Sequence, residues 1–184
     1  MTIEQPKGPL DVVFTCTGQA TGKMRNDLSV KMIEPMLEEF TLATDEGPFH
    51  GGDASAPPPL ALFIGGLTGC IMTQIRAFAK RMDVVVTDLH VDCRIVWQWT
   101  PKDRIYETGP KSFDLEITLD SPNPLEEQVA LIQAARKGCF VEQTLGQSNT
   151  ITHRLKTNDG FLRLKLCEVA ATLFVFVVHI QHRQ

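Results

Sequence analysis

The segment from Pro59 to about Met82 constrains the fold of this chain more than any other feature. Nothing in it breaks a helix except three glycines, Gly65, Gly66 and Gly69, and the proline suits a first helical turn. The first half is apolar on nearly every face, which predicts a helix buried on all sides. Each glycine costs about 1 kcal/mol of helix propensity relative to Ala, and close backbone packing against another element usually offsets such a cost.

Strand patterns lie on both sides of this helix. Three short strands are expected before it, at residues 11–17, 28–33 and 38–43. A loop rich in Gly and Pro follows them over residues 45–59. After the helix, residues 84–99 and 113–119 alternate apolar and polar side chains, which predicts an antiparallel hairpin with one face in water.

A second helix is expected after the hairpin. Asn123 should cap it, Pro124 should occupy its first position, and Gly138 should end it. A short helix then begins at Cys139, and residues 150–156 form a last strand. This order of strands, long helix, strand pair, helix and strand predicts an α+β domain and not a βαβ array.

Composition narrows the class of protein further. With 43% hydrophobic and 22% charged residues, a chain of 184 residues can bury a core, and we expect one domain over residues 1–160 and a C-terminal extension of unknown role over 161–184. The net charge of -4 and the lack of a basic stretch argue against a nucleic-acid partner. The N-terminus has no secretion pattern, and the longest dense apolar run, 169–178, is half as long as a membrane span. We therefore expect a cytoplasmic protein without a membrane partner.

The five cysteines are widely spread, and an odd number in this setting favours reduced thiols over a disulfide scaffold. Cys16 and Cys93 lie on the apolar faces of predicted strands, so we expect them to pack as small buried hydrophobes. Cys167 lies in the C-terminal tail, and we expect no role for it.

Two other cysteines have contexts that fit thiol chemistry. Cys70 lies in the middle of the central helix, and Thr73 and Gln74 on the same face indicate that this face meets a pocket. Cys139 opens a short helix, where unpaired backbone N–H groups and the helix dipole lower the pKa of a thiol. By local physics alone Cys139 is the better thiolate of the two, and a packing role in the core stays open for both.

The sequence carries no pattern for a metal or a cofactor. It has no CxxC or HxxxH pair, no GxSxG and no phosphate-binding glycine loop. His153 is most simply a core histidine on a strand, and His50 a solvated residue of the Gly-rich loop. We therefore expect neither metal nor cofactor.

Two motifs of this sequence resemble those of a known family. The run DEGPFHGGDASAPPPLALFIGGLTGC, residues 45–70, and the later KGCFVEQTL, residues 137–145, are similar to the OsmC/Ohr family of osmotically induced and organic hydroperoxide resistance proteins. In that family a Gly-rich loop precedes a Pro-led helix with a small residue–Cys pair, and a second cysteine opens a short helix. THRLKTNDG, residues 152–160, looks like the family's last strand.

The resemblance implies a fold and a reaction. The fold is an OsmC-like α+β domain with antiparallel sheets around a long central helix, in an intertwined homodimer with active sites at the subunit interface. Cys70 would attack an organic hydroperoxide and become a sulfenic acid, and Cys139 would condense with it to a disulfide. A dithiol reductant, often a protein-bound lipoyl group in the family, would restore both thiols.

The chain departs from the family pattern at one position. The best-studied members carry a glutamate directly after the helix-leading proline, where this chain has Leu60. They also hold the thiolate with an arginine from the N-terminal region, and Arg25 is the nearest candidate here. Glu46, Asp53 and Glu142 are the carboxylates that could replace the glutamate as its partner.

Two other functions remain open on the sequence alone. In the first, a catalytically weak or inactive dimer of the same fold binds an apolar small molecule at the subunit interface, which the Leu60 substitution favours. In the second, the dimer has a purely structural or interaction role, with the apolar C-terminal run as the surface for a partner.

Overall fold

The computed structural model describes residues 8–164 of the chain, which divides into two compact units after Gln143. The first unit carries strands β1 (Val13–Ala20), β2 (Asn26–Glu34), β3 (Glu38–Thr44), β4 (Asp88–Lys102) and β5 (Ile105–Asp120), and helices α1 (Pro59–Arg81) and α2 (Leu125–Gly138). Helix α3 (Phe140–Leu145) begins in it, and the second unit carries strands β6 (His153–Thr157) and β7 (Gly160–Leu164). The predicted α+β class is confirmed.

Strands β1, β2 and β3 form an antiparallel sheet whose register sorts side chains onto two faces. Cys16 pairs with Val30, which pairs with Phe40, so these apolar residues share one face. Thr17 pairs with Ser29, which pairs with Thr41, on the opposite, polar face. This sheet therefore has one face built for burial and one for water.

Strands β4 and β5 form the long hairpin that the alternation predicts. Val91 pairs with Ile117 and Cys93 with Leu115 on the face that packs towards the core, while Asp92 pairs with Glu116 on the other face. Both strands run further than the sequence pattern indicates, because they pair up to Lys102 and Ile105.

The core of the first unit lies between the second half of α1, helix α2 and the hairpin. Its buried residues on α1 recur at helical spacing, and they meet the buried face of α2. The buried side chains are Leu67, Ile71, Ile75, Ala79, Val84, Val91, Leu131, Ala135 and Cys139.

Helix α2 begins one residue later than predicted, because its N-cap is Pro124 and not Asn123. The Asn123 side chain instead accepts a hydrogen bond from the Val85 backbone N–H at 2.9 Å and donates one to Glu127 at 2.7 Å. It therefore ties the start of α2 to the segment that follows α1.

The first half of α1 is not buried within one chain, contrary to the prediction. Leu60 is 52% exposed, Leu62 and Phe63 are exposed, and a Cβ added at Gly65 or Gly66 would meet nothing within 4 Å. The same chain covers this half in part, since Leu67 is buried and the ring centroid of Phe63 lies 6.1 Å from that of Trp97 on β4. The face that carries Leu60, Gly65 and Gly66 is left open. Among the described residues α1 alone is long and apolar enough to cross a membrane, a test that core helices of soluble proteins also pass.

The second unit contains a hairpin of β6 and β7, where the sequence predicts a single last strand at residues 150–156. Thr157 pairs with Gly160, whose φ of 120° is a left-handed conformation that favours glycine. The predicted division after residue 160 stays a prediction, and the apolar run at 169–178 lies outside the described residues.

Candidate functional site

The structure brings Cys70 and Cys139 together. Cys70 is half-buried in the middle of α1, and Cys139 follows the last residue of α2 with no exposed surface. Cys70 packs against the buried cluster that contains Cys139, close enough to raise the pKa of that thiol, and both are free thiols. Two residues that lie 69 positions apart in the sequence therefore form one thiol pair.

Gly138 allows this contact, because a larger residue would push α2 away from α1. A Cβ at this position would lie 2.5 Å from Cζ of Phe78 and 2.9 Å from its Cε2 atom. Both distances are far below van der Waals contact, so any side chain here requires the ring or the helix to move. Gly138 therefore allows the last turn of α2 to pack directly against α1.

Burial controls the ionisation of Cys139. Removal from water, with a smaller contribution from the neighbouring Cys70, raises the pKa of the Cys139 thiol from 9.0 to about 11. Backbone N–H groups of Glu142 and Val141 oppose this shift, with the Glu142 N–H 3.5 Å from Sγ. The helix-terminus effect expected from the sequence is present, but desolvation outweighs it, so the expected lowering of the Cys139 pKa was wrong.

Arg25 contacts neither cysteine within one chain. Its Nε donates to Asp27 Oδ1 at 3.0 Å, Nη2 lies 2.8 Å from the same oxygen, and Nη1 donates to the Ser55 Oγ at 3.0 Å. The carboxylate beside this guanidinium is therefore Asp27, which was not among the candidates predicted from the sequence. Arg25 and Asp27 are two positions apart in an extended segment, so their side chains lie on one face. This spacing was the signal in the sequence that could have predicted the pair.

The three carboxylates considered as partners of Arg25 do not contact it. Asp53 accepts a hydrogen bond from Lys23 at 2.6 Å, and Glu142 accepts one from Arg136 at 2.9 Å. No contact joins Glu46 to Arg25 among the described residues. Within one chain, Asp27 and Ser55 occupy the place at Arg25 that these three candidates were expected to fill.

A buried carboxylate that the sequence did not reveal lies next to Arg25. Asp45 is 2% exposed, and its Oδ2 accepts hydrogen bonds from the Ser55 N–H at 2.9 Å and the Ser55 Oγ at 2.8 Å. Its Oδ1 accepts one from the Glu46 N–H at 2.9 Å. These hydrogen bonds, those from Ser55 above all, lower the pKa of Asp45 and keep it a carboxylate.

The other cysteines of the described residues lie apart from this pair. Cys16 is exposed on the apolar face of the N-terminal sheet, so its expected burial is not met within one chain. Cys93 is half-buried on the core face of the hairpin, as expected for a packing residue.

Metal ligands do not gather in the part of the chain that the structure describes, since no group of three or more His, Cys, Asp or Glu residues can hold an ion there. His153, expected in a core, is exposed on β6. His50 contacts the exposed ring of Phe49, with the two ring centroids 4.8 Å apart.

This fold, with a thiol pair between a long central helix and the helix after the hairpin, defines a class. A family profile described as OsmC-like protein matches residues 51–154. The chain is 65% identical to a crystal structure of an OsmC-like hydroperoxide resistance protein from Jannaschia sp. CCS1, a match that covers 83% of this chain and 98% of that one with a TM-score of 0.58. The chain therefore belongs to the OsmC-like family.

More distant structures share the fold. An OsmC-like protein from Mycoplasma pneumoniae is 20% identical over 77% of this chain and 89% of its own, with a TM-score of 0.53. An organic hydroperoxide resistance protein OsmC from Legionella pneumophila is 18% identical over 72% and 88%, with a TM-score of 0.50. No match was found among curated proteins. The predicted OsmC-like fold and family are confirmed.

Proposed function

We propose that this protein is a thiol-dependent peroxidase that reduces organic hydroperoxides, with Cys70 as the peroxidatic and Cys139 as the resolving cysteine. The observation that carries the proposal is the packing of Cys70 against the buried cluster that contains Cys139, which brings the two thiols close together. The 65% identical relative, itself named a hydroperoxide resistance protein, supports the same substrate class.

The burial of Cys139 supports this assignment of roles. The raised pKa keeps Cys139 protonated at neutral pH. A nucleophile must be a thiolate and must reach its substrate, and Cys70 is the less buried thiol of the pair. The first attack is therefore assigned to Cys70.

The reaction balances in two steps. The Cys70 thiolate attacks the peroxide oxygen, the O–O bond breaks, and the alkoxide takes a proton to leave as an alcohol, which leaves Cys70 as a sulfenic acid. The sulfur of Cys139 then attacks the Cys70 sulfur, and the hydroxyl leaves with the Cys139 proton as water. Peroxide is reduced by two electrons, and the two thiols are oxidised to one disulfide.

A dithiol reductant closes the cycle by thiol–disulfide exchange, and a protein-bound lipoyl group belongs to this chemical class. The half-buried Cys70 is the sulfur that such a reductant can reach, because Cys139 has no exposed surface. A reducing compartment such as the cytoplasm supplies dithiols of this kind.

We also propose that the working form is a homodimer. The apolar face of the N-terminal sheet leaves Phe14 55% and Phe40 44% exposed, and Leu60 at the start of α1 is 52% exposed. Open space at Gly65, Gly66 and Gly69 would let a second helix approach closely. Large exposed apolar surfaces of this kind mark interfaces.

Arg25 is the residue we propose to hold the Cys70 thiolate. Its guanidinium is oriented by Asp27 and Ser55, and a fixed cation beside a thiolate favours the charged form. Arg25 contacts neither cysteine within one chain, so this role requires the dimer to bring the residues together.

Peptide mass spectrometry after peroxide treatment tests the proposal. Reduced protein treated with one equivalent of cumene hydroperoxide should yield a Cys70–Cys139 disulfide, while Cys16 and Cys93 stay free. The Cys139→Ser variant should instead accumulate a sulfenic acid on Cys70 that dimedone traps. Free thiols at both positions in excess peroxide would refute the peroxidase and favour the dimer that binds an apolar small molecule.

A further inference from the structure

Arg25 is held on two sides by groups that converge from different parts of the first unit. Asp27 contacts Nε and Nη2 from the same strand region. Ser55 lies 30 residues further along the chain, and its carbonyl oxygen and Oγ accept hydrogen bonds from Nη1 at 3.2 and 3.0 Å. A planar guanidinium with donors engaged on both sides cannot rotate freely.

The Ser55 hydroxyl connects Arg25 to the buried Asp45. Its proton is donated to Asp45 Oδ2 at 2.8 Å, so its lone pairs are left to accept from Arg25 Nη1. A hydroxyl that donates to a carboxylate is a stronger acceptor, because hydrogen bonds in a chain polarise one another. The order of donors and acceptors in this series of hydrogen bonds, from Arg25 through Ser55 to Asp45, is thereby fixed.

Asp45 in turn fixes the position of Ser55 in the loop. Its carboxylate accepts hydrogen bonds from the backbone N–H groups of Glu46 and Ser55, at both ends of the loop segment. A Cβ at Gly52 would overlap the Glu46 carbonyl oxygen, so the backbone is closely packed inside the same turn. The loop therefore presents Ser55 to Arg25 in one orientation.

We propose that Ser55 and Asp45 are positioning residues for Arg25 in the peroxidase reaction. Together with Asp27 they orient the guanidinium, a task that the family's glutamate would perform at the position occupied here by Leu60. This inference rests on the proposed function, since it assumes that Arg25 acts on the Cys70 thiolate. Ser55 touches Arg25 directly, and Asp45 acts through Ser55.

Ser55→Ala tests the inference, because it removes the hydroxyl and leaves the backbone contacts of the loop in place. We expect the rate of Cys70 oxidation by cumene hydroperoxide to fall about tenfold, since loss of orientation at a reacting centre costs up to 10²-fold. The pH profile of Cys70 alkylation should move to higher pH. Ser55→Thr, which keeps the hydroxyl, should restore both readouts.

Lys23→Ala is the matched control, because Lys23 joins the same two segments through Asp53 at 2.6 Å without touching Arg25. It should leave the rate and the alkylation profile of the wild type unchanged. Equal losses in Lys23→Ala and Ser55→Ala would overturn the inference, since both would then act by anchoring the loop.

The Arg25→Ala variant distinguishes a failure of the positioning role of Ser55 from a failure of the proposed role of Arg25 itself. Arg25→Ala alone should slow Cys70 oxidation about 10²-fold, the usual scale for one charge-stabilising donor, and Ser55→Ala should add nothing to it. If Arg25→Ala is impaired but Ser55→Ala is not, the positioning role fails and the role of Arg25 stands. If Arg25→Ala is as fast as wild type, both fail, while the disulfide between Cys70 and Cys139 is tested independently.

Asp45→Asn gives a second variant for the same chain of hydrogen bonds. It keeps the size of the side chain and removes the charge that orders the Ser55 hydroxyl, so we expect a loss of the same sign as in Ser55→Ala. Far-UV circular dichroism shows whether the variant is folded. A folded Asp45→Asn with wild-type rate and alkylation profile would overturn the part assigned to Asp45.

Discussion

The N-terminal sheet and the β4–β5 hairpin have the same alternation of apolar and polar residues, but only the hairpin is covered within one chain. Val91 on the hairpin is buried against the core, whereas Phe40 on the sheet is 44% exposed. One chain therefore completes one core and leaves a second apolar surface open. The thiol pair lies in the completed core, and Arg25 lies beside the open sheet.

The largest effect is expected in the completed core. Ile75 is fully buried, so Ile75→Ala should lower the free energy of unfolding by about 2–5 kcal/mol. Urea unfolding followed by far-UV circular dichroism measures it. Lys80→Ala, an exposed position on the same helix, should stay within about 0.5 kcal/mol of wild type. Similar losses in the two variants would show that this side of α1 is not the core.

A substitution on the open apolar face of the N-terminal sheet should weaken association of the dimer and leave the fold of the chain unchanged. Phe40→Asp places a charge on the apolar face of the sheet, and we expect the dimer dissociation constant to rise at least about tenfold, which is 1.4 kcal/mol. Sedimentation velocity measures it against a monomer of 20.5 kDa. Thr41→Asp, on the polar face one residue away, is the control and should leave association unchanged. A monomeric wild type would contradict the proposed homodimer.

A third prediction concerns the dependence of stability on pH. The pKa of Cys139 is 9.0 ordinarily and about 11 in the folded chain, so folding favours the protonated thiol. This contribution to stability is complete below the unfolded pKa and is lost as pH rises through 9.0 towards about 11. Urea unfolding across this range should show a fall that is absent in Cys139→Ala. Parallel curves for the two proteins would contradict the raised pKa.

Much of the fold follows from local patterns in the sequence. The alternation of apolar and polar residues predicts the β4–β5 hairpin, and Pro59 marks the start of α1. The cap of α2 was misplaced by one residue, because Asn123 bonds to Val85, a contact that spans 38 residues and leaves no local trace. Burial of the first half of α1 was wrong for one chain, since an apolar pattern does not say which chain covers it.

The site was less predictable than the fold. The contact of Cys70 with Cys139 came from the family resemblance and not from the residues themselves, because 69 positions separate the two. The helix terminus at Cys139 was visible in the sequence, but the burial that reverses its effect on the pKa is tertiary. Asp45 was missed for the same reason, as its partners meet only when the loop closes.

The loss of free thiols per peroxide reduced tests the central claim most directly. With one equivalent of cumene hydroperoxide and no reductant, wild type should lose two thiols per peroxide consumed, Cys139→Ser one, and Cys70→Ser none on the same timescale. Rapid thiol loss in Cys70→Ser, or unchanged thiols in the wild type, would contradict the account of Cys70 and Cys139 as a peroxidatic and resolving pair.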